Sequence, residues 1–493
     1  MQDVQLAVPG RTCWRTERAE RIAFLVDGAQ YFAALARALE RAKRRILIVG
    51  WDFHGRTRLR PDATEEELPD EIGPRLRALL ERRPELRVHV LEWDYSLLYA
   101  VERRLAPWLD SDWCRHERFA FRLDDQHAFG ASQHQKLVAI DDALAFTGGF
   151  DLTLRRWDTP EHRACDPNRV APDGKPYDPF HDVQVAVDGG AARALAELAR
   201  ERWRRGTGEL LAPVEPGFDP WPAALEPDAR GAPVAIARTE APANGGPEVR
   251  EVQALLCAAI AAARESIYVE SQYFTAPCVV EALCRRLARR DGPEVLLVLP
   301  ARCAGWIEQT TMGRLRVDAV RALRAADRHG RLRVLAPFAA DGTPINVHAK
   351  LCIFDDRLVK IGSANLSARS LSLDSECDVV LESDGRRDLS DAIRGLRARL
   401  LGEHLDVRAH EFEAVRAAAG GSLVRAVDAL AGGARGLRPI EGCERAAGGD
   451  WMRSVPIDPE DAPAFSAPAA KRGVLALAGA LAAVAAAFLL LRR

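Results

Sequence analysis

A chain of 493 residues with 28% charged residues, 48% hydrophobic residues and a formal net charge of −2 can bury the cores of two sizeable domains and has no strong overall attraction to polyanions. Its ten cysteines, from Cys13 to Cys443, stand singly with no CxxC pair. That argues against a zinc knuckle or a disulfide framework and fits a reducing compartment. The first residues, MQDVQLAVPGRTCWRTE, lack the apolar run of a signal peptide, and 1–39 read as an N-terminal segment. A first α/β unit is expected over 40–210. The helical spacing of AQYFAALARALERAK leads into the apolar run RRILIVGWDF, and IGPRLRALLERR leads into ELRVHVLEW. HQKLVAIDDALAFTGGFD, from His134 to Asp151, reads as strand, tight turn, strand. HDVQVAV and the helical pattern GGAARALAELARERWRRG close the unit.

Residues 211–247 carry eight prolines and read as a linker, with one short strand, VAIAR, belonging to the second half. A second unit, 248–405, repeats the order of the first. VREVQALLCAAIAAARE precedes SIYVESQYF, VVEALCRRLARR precedes EVLLVLP, and RLRVLAP precedes HAKLCIFDDRLVKIGSANL and ECDVVLE. Residues 406–470 read as a helical extension ending in a proline-rich tether. GVLALAGALAAVAAAFLLL (473–491) is 19 residues without a charge, bracketed by basic pairs. A helix of that length spans roughly the 30 Å hydrocarbon core, so a C-terminal transmembrane anchor is expected. Together with the missing signal peptide, this places the protein at the cell inner membrane with a cytoplasmic catalytic body.

The two units share one pattern, His-x-Lys-x4-Asp, as His134, Lys136, Asp141 and as His348, Lys350, Asp355. A turn of small residues follows each at the same distance, Gly148-Gly149-Phe150-Asp151 and Gly362-Ser363-Ala364-Asn365. Coincidence does not explain a doubled spacing of this kind. Positions i and i+2 of a strand face one side, so each histidine points with its lysine. If the units pair about a pseudo-two-fold axis, both sets converge on one cleft. Two imidazoles then supply a nucleophile and a general acid, and two ammonium groups hold phosphate oxygens. No metal or other cofactor is invoked, because no carboxylate cluster of the two-metal kind stands beside the pattern.

These residues resemble the duplicated signature of the phospholipase D superfamily, and the resemblance spans about residues 40–405. It implies two pseudo-symmetric α/β/α units around one cleft and a covalent phosphohistidine. His134 would attack, His348 would be the acid, and Lys136 and Lys350 would bind the phosphoryl group. Asp141 and Asp355 count with the catalytic set as members of the motif. Ser363 and Asn365, with Gly148 and Gly149 in the first turn, would lie against the phosphate. An acidic residue after each motif would orient its own imidazole: Glu376 for His348 and Asp182 for His134. Asp151 departs from the asparagine pattern and is expected to face a basic partner or backbone amides. GGFD followed by RRWD, together with IYVESQYF, resembles phospholipase D and cardiolipin synthase enzymes. The resemblance implies hydrolysis of glycerophospholipid or phosphatidyl transfer to an alcohol, with phospholipid, water or alcohol and the membrane as partners. Cardiolipin synthesis is the runner-up. A nuclease is disfavoured because no basic stripe is present to hold nucleic acid.

Overall fold

The computed structural model describes residues 5–63, 67–94, 112–128, 130–215, 217–242, 246–302 and 306–440, together with Asp458. The first half supplies strands β1 (Arg15–Val26), β2 (Arg45–Gly50), β3 (Arg87–Trp93), β4 (Phe119–Asp124), β5 (Leu137–Ile140), β6 (Leu144–Gly148), β7 (Phe180–His181) and β8 (Val183–Asp188). The second half supplies β9 (Ala229–Glu240), β10 (Val249–Arg250), β11 (Ser266–Ser271), β12 (Glu294–Val298), β13 (Leu332–Phe338), β14 (Asn346–Val347), β15 (Lys350–Phe354), β16 (Leu358–Gly362), β17 (Glu376–Glu382) and β18 (Gly436–Pro439).

One sheet runs through both halves in the order β18-β13-β12-β11-β15-β16-β17-β9-β1-β8-β6-β5-β2-β3-β4, with β10 alongside β9. About the β9–β1 seam the order is close to a palindrome. Each half has a parallel trio, β2-β3-β4 or β11-β12-β13, followed by an antiparallel run toward the seam. At the seam β1 and β9 pair antiparallel from Arg15↔Ile236 to Ile22↔Ala229. Helices cover both faces, which explains why LVAI and LCIF read as unbroken apolar runs. Leu137 and Ala139 join Leu351 and Ile353 in a core spanning both halves, under helices Gly189–Thr207 and Arg387–His404. Val138 and Ile140 face a second core with helices Asp27–Leu39 and Ile72–Arg82, and Cys352 and Phe354 face a third with Glu251–Ala262 and Pro277–Leu287.

Three expectations change. β1 and helix Asp27–Leu39 fall within residues expected to stand outside the first unit, yet β1 pairs with β8 in the centre of the sheet. In RTERAERIAFLV the leading residues are mostly charged and only half-buried, which hides the strand's length. β9 occupies twelve residues of the stretch read as linker, where only VAIAR was anticipated. The membrane topology is also corrected. Among the described residues no helix is long and apolar enough to cross a membrane, so the single-pass transmembrane fold and the inner-membrane location built on it are withdrawn. Gly189–Thr207, for example, has the length but carries arginines and glutamates throughout. Residues 473–491, where the span was expected, lie outside the described residues.

Candidate active site

Each histidine sits just ahead of a short strand, in a segment that docks onto the other half. Gln133 bridges Ser375 in parallel, and His134 N donates to Ser375 O at 3.0 Å. In the mirrored arrangement β14 pairs in parallel with β7, and His348 N donates to His181 O at 2.8 Å. The next residue on each receiving segment is a carboxylate. His134 Nδ1 therefore lies 3.0 Å from both Glu376 oxygens, and His348 Nδ1 lies 2.7 Å from Asp182 Oδ2. The orienting carboxylates are exchanged relative to the sequence expectation: Glu376 serves His134 and Asp182 serves His348. The cause is topological. β8 and β17, which begin at or beside these residues, flank the central β1–β9 pair, so each carboxylate reaches across the seam.

Lys136 Nζ is 3.1 Å from Asp151 Oδ2, and Asp151 Oδ1 accepts from Trp51 N at 2.9 Å and Asp52 N at 3.3 Å. Asp151 thus has both the basic partner and the amides expected of it. Lys350 Nζ donates to Gln272 Oε1 at 3.1 Å and lies 3.0 Å from His348 Nδ1. Asn365, the counterpart of Asp151, is buried with Oδ1 unpartnered.

The turn residues Ser363, Gly148 and Gly149 pack against the orienting carboxylates and β8. Ser363 Oγ donates to Glu376 Oε2 at 2.5 Å and accepts from Cys377 N at 3.0 Å, which fixes the carboxylate behind His134. Gly149 N donates to Val183 O at 3.1 Å, and a Cβ there would meet Asp182 Oδ1 at 2.0 Å. A Cβ at Gly148 would meet Gln184 Oε1 at 2.3 Å. Both glycines let β8 and Asp182 approach, so the first half has no room for the serine found in the second.

Asp141 and Asp355 also depart from expectation. Both stand in tight turns at positive φ, 51° and 54°. Asp141 accepts from the amides of Lys43, Arg44 and Arg45 at 2.6–2.8 Å, and Asp355 from those of Arg264, Glu265 and Ser266 at 2.6–2.8 Å. Each lies five positions beyond its lysine, roughly 16 Å at strand rise. They cap the entry to β2 and β11 and do not reach the histidines.

Sequence reasoning missed several neighbours. The Trp51 ring meets His134 edge-on at 6.5 Å and stacks on Trp93 at 5.6 Å. Phe180 lies 5.4 Å from the His348 ring, with the Arg156 guanidinium 4.9 Å from the Phe180 ring centroid. No spacing rule marks these residues, since they come from strand ends and loops far apart in the sequence. Electrostatics distinguish the pair. Burial, with Lys350, Arg156, Lys136 and His134 adding to it, holds the His348 imidazole well below its usual range. Burial lowers Lys350 to about 7, with Asp182 opposing and Lys136 reinforcing the shift. Burial raises Asp182 to about 6 against the pull of Lys350.

A family model described as "Cardiolipin synthase, PLD-like domain" matches residues 256–395, the second copy of the motif. Phospholipase D A of Dictyostelium discoideum is 26% identical over 73% of this chain and 32% of its own length. Cardiolipin synthase A of Pseudomonas fluorescens strain SBW25 is 26% identical over 71% of this chain and 63% of its own. The family model and both relatives are similar to this chain in the way its doubled motif led one to expect, and all lie in the phospholipase D and cardiolipin synthase group. The chain spans about a third of the first relative's length and under two thirds of the second's. The fold is shared with the crystal structure of a phosphatidylserine synthase from Haemophilus influenzae Rd KW20. That match has a TM-score of 0.50 and 13% identity, and covers 78% of this chain and 87% of the other.

Proposed function

We propose that this protein is a phospholipid phosphodiesterase and phosphatidyltransferase that works through a covalent phosphohistidine, with phospholipase D hydrolysis to phosphatidate as its main reaction. The observation supporting it is the crossed pairing of two histidines with buried carboxylates, each beside a lysine. A carboxylate on Nδ1 fixes the tautomer and leaves Nε2 for chemistry. His134 Nε2 attacks phosphorus, the bond from phosphorus to the headgroup oxygen breaks, and His348 Nε2 gives that oxygen its proton. His348 then takes a proton from water, the water oxygen attacks phosphorus, and the bond to His134 breaks. Lys136 and Lys350 offset the charge on the non-bridging oxygens. An alcohol in place of water gives transfer, and phosphatidylglycerol as that alcohol gives cardiolipin.

A specific observation favours a second reading, with the two histidines exchanging roles. A nucleophile must be unprotonated, and the environment of His348 disfavours its charged form. Quenching a reaction with labelled phosphatidylcholine or phosphatidylglycerol, then mapping the label by mass spectrometry, decides between them. Label on His134 supports the first reading and label on His348 the second. Absence of label from both, in the wild type and in each single histidine variant, overturns the phosphohistidine. Parallel assays on phosphatidylcholine, phosphatidylglycerol and DNA test the substrate class, and turnover of DNA alone overturns the lipid assignment.

A further inference from the structure

His181, the residue before Asp182, takes part in a second constellation that phosphoryl transfer does not use. Asp27 and His162 from the first half and Glu403 from the second meet it, with one ligand atom of each within 4.8 Å of all the others. The side chains of Asp27, His162 and His181 are 0% exposed and that of Glu403 is 7% exposed. His181 Nδ1 is 2.9 Å from Asp27 Oδ1 and 2.9 Å from Glu403 Oε1. His162 Nε2 is 3.1 Å from Glu403 Oε1 and 3.5 Å from Asp27 Oδ2. Ligands about 2.0–2.1 Å from a tetrahedral zinc ion are about 3.3 Å from one another, and these separations bracket that value.

Two further observations point to an ion. The outward nitrogen of each imidazole is held by another carboxylate: His162 Nδ1 by Asp158 at 2.9 Å, and His181 Nε2 by Glu270 at 2.8 Å. Asp158 is itself paired with Arg169 at 2.9 Å, and Glu270 with His404 at 2.9 Å. A carboxylate behind each histidine is the usual outer support of a metal ligand. In addition, Asp27 Oδ2 is buried with no hydrogen-bond partner. Without a cation, satisfying the remaining contacts requires two doubly protonated imidazoles with ring centroids 5.7 Å apart in a buried seam. A divalent ion neutralises Asp27 and Glu403 while both imidazoles stay neutral.

We propose that Asp27, His162, His181 and Glu403 bind one divalent transition-metal ion of the zinc class, in a closed structural site that ties the two halves together. All four positions of a tetrahedron are filled by protein, so no coordination position is left for a reacting water. The site also reaches the cleft through the backbone, because Asp27 N donates to Asp182 O at 2.9 Å and His348 N donates to His181 O at 2.8 Å. It stands whether or not the cleft transfers phosphatidyl groups.

The test is elemental analysis of the full chain purified from zinc-supplemented culture, joined to anomalous diffraction at the zinc edge. The expected result is one ion per chain, with its peak between the His162 and His181 rings. His162→Ala and Glu403→Gln should lose the ion, whereas His410→Ala, at an exposed position, should keep it. Wild-type protein that stays below roughly a tenth of an equivalent, even after refolding with added zinc, overturns the proposal. So does an anomalous peak elsewhere, or folded variants that retain the metal. If the variants fail to fold, the position of the wild-type peak decides alone.

Discussion

At the scale of single residues, the histidines carry the largest expected effects. His134→Ala and His348→Ala should each slow phosphodiester cleavage by at least about 10²-fold, measured as initial rates on dispersed lipid. The crossed pairing adds a sharper expectation. With His348 as the acid, Asp182→Asn should impair a substrate with an alkoxide leaving group far more than one releasing nitrophenolate, as His348→Ala does. Glu376→Gln, which weakens His134, should impair both alike. Lys350 should set the alkaline side of the pH profile. Its charged form is lost as pH rises through about 7 in the free enzyme, and Asp182, Lys136, Asp151 and Glu376 are the charges around it. A bound anionic diester favours that charge, so kcat/KM should fall near pH 7 while kcat holds to higher pH. A pH profile with both parameters falling together would count against this role. The histidines and lysines were legible because a doubled spacing encodes them. Their carboxylate partners were legible as residues but not as pairs, because distance along the chain favours the same half, whereas the β1–β9 seam brings Glu376 to His134 and Asp182 to His348.

At the scale of elements, the two motif aspartates show how a turn can look like part of a site. Asp141 and Asp355 each satisfy three amides at the start of a neighbouring strand, β2 or β11. Asp141→Ala leaves those donors without their acceptor and places alanine at positive φ, so it should cost about 2 kcal/mol or more in denaturant unfolding. Activity per folded molecule should stay near wild type, as an active-site titration would show. Asp141→Asn, which tolerates the left-handed region and keeps an acceptor oxygen, should recover much of the loss. The hydrophobic runs of β5, β11, β12 and β15 were legible because burial on both faces leaves an unbroken apolar stretch. β1 escaped because its exposed leading residues carry charge, and β9 because prolines on either side of it resemble a linker.

At the scale of the whole molecule, one sheet and one core cross the seam, so neither half has a closed edge of its own. Unfolding in denaturant should therefore be a single transition, with far-ultraviolet dichroism, tryptophan fluorescence and loss of activity superimposed. A separated transition in any probe would mean that the halves melt independently. The seam also bears on how two like groups acquire unlike tasks. Two identical copies related by a true dyad would give both imidazoles the same surroundings, and neither would have a reason to attack first. Carrying both copies on one chain removes that constraint. Ser363 gives one orienting carboxylate a hydroxyl where Gly149 gives the other none, and Asp151, paired with Lys136, has an uncharged counterpart in Asn365. Drift between the copies is what permits a division of labour, and an inserted serine or a lost charge in either turn should shift the order of events without touching a histidine.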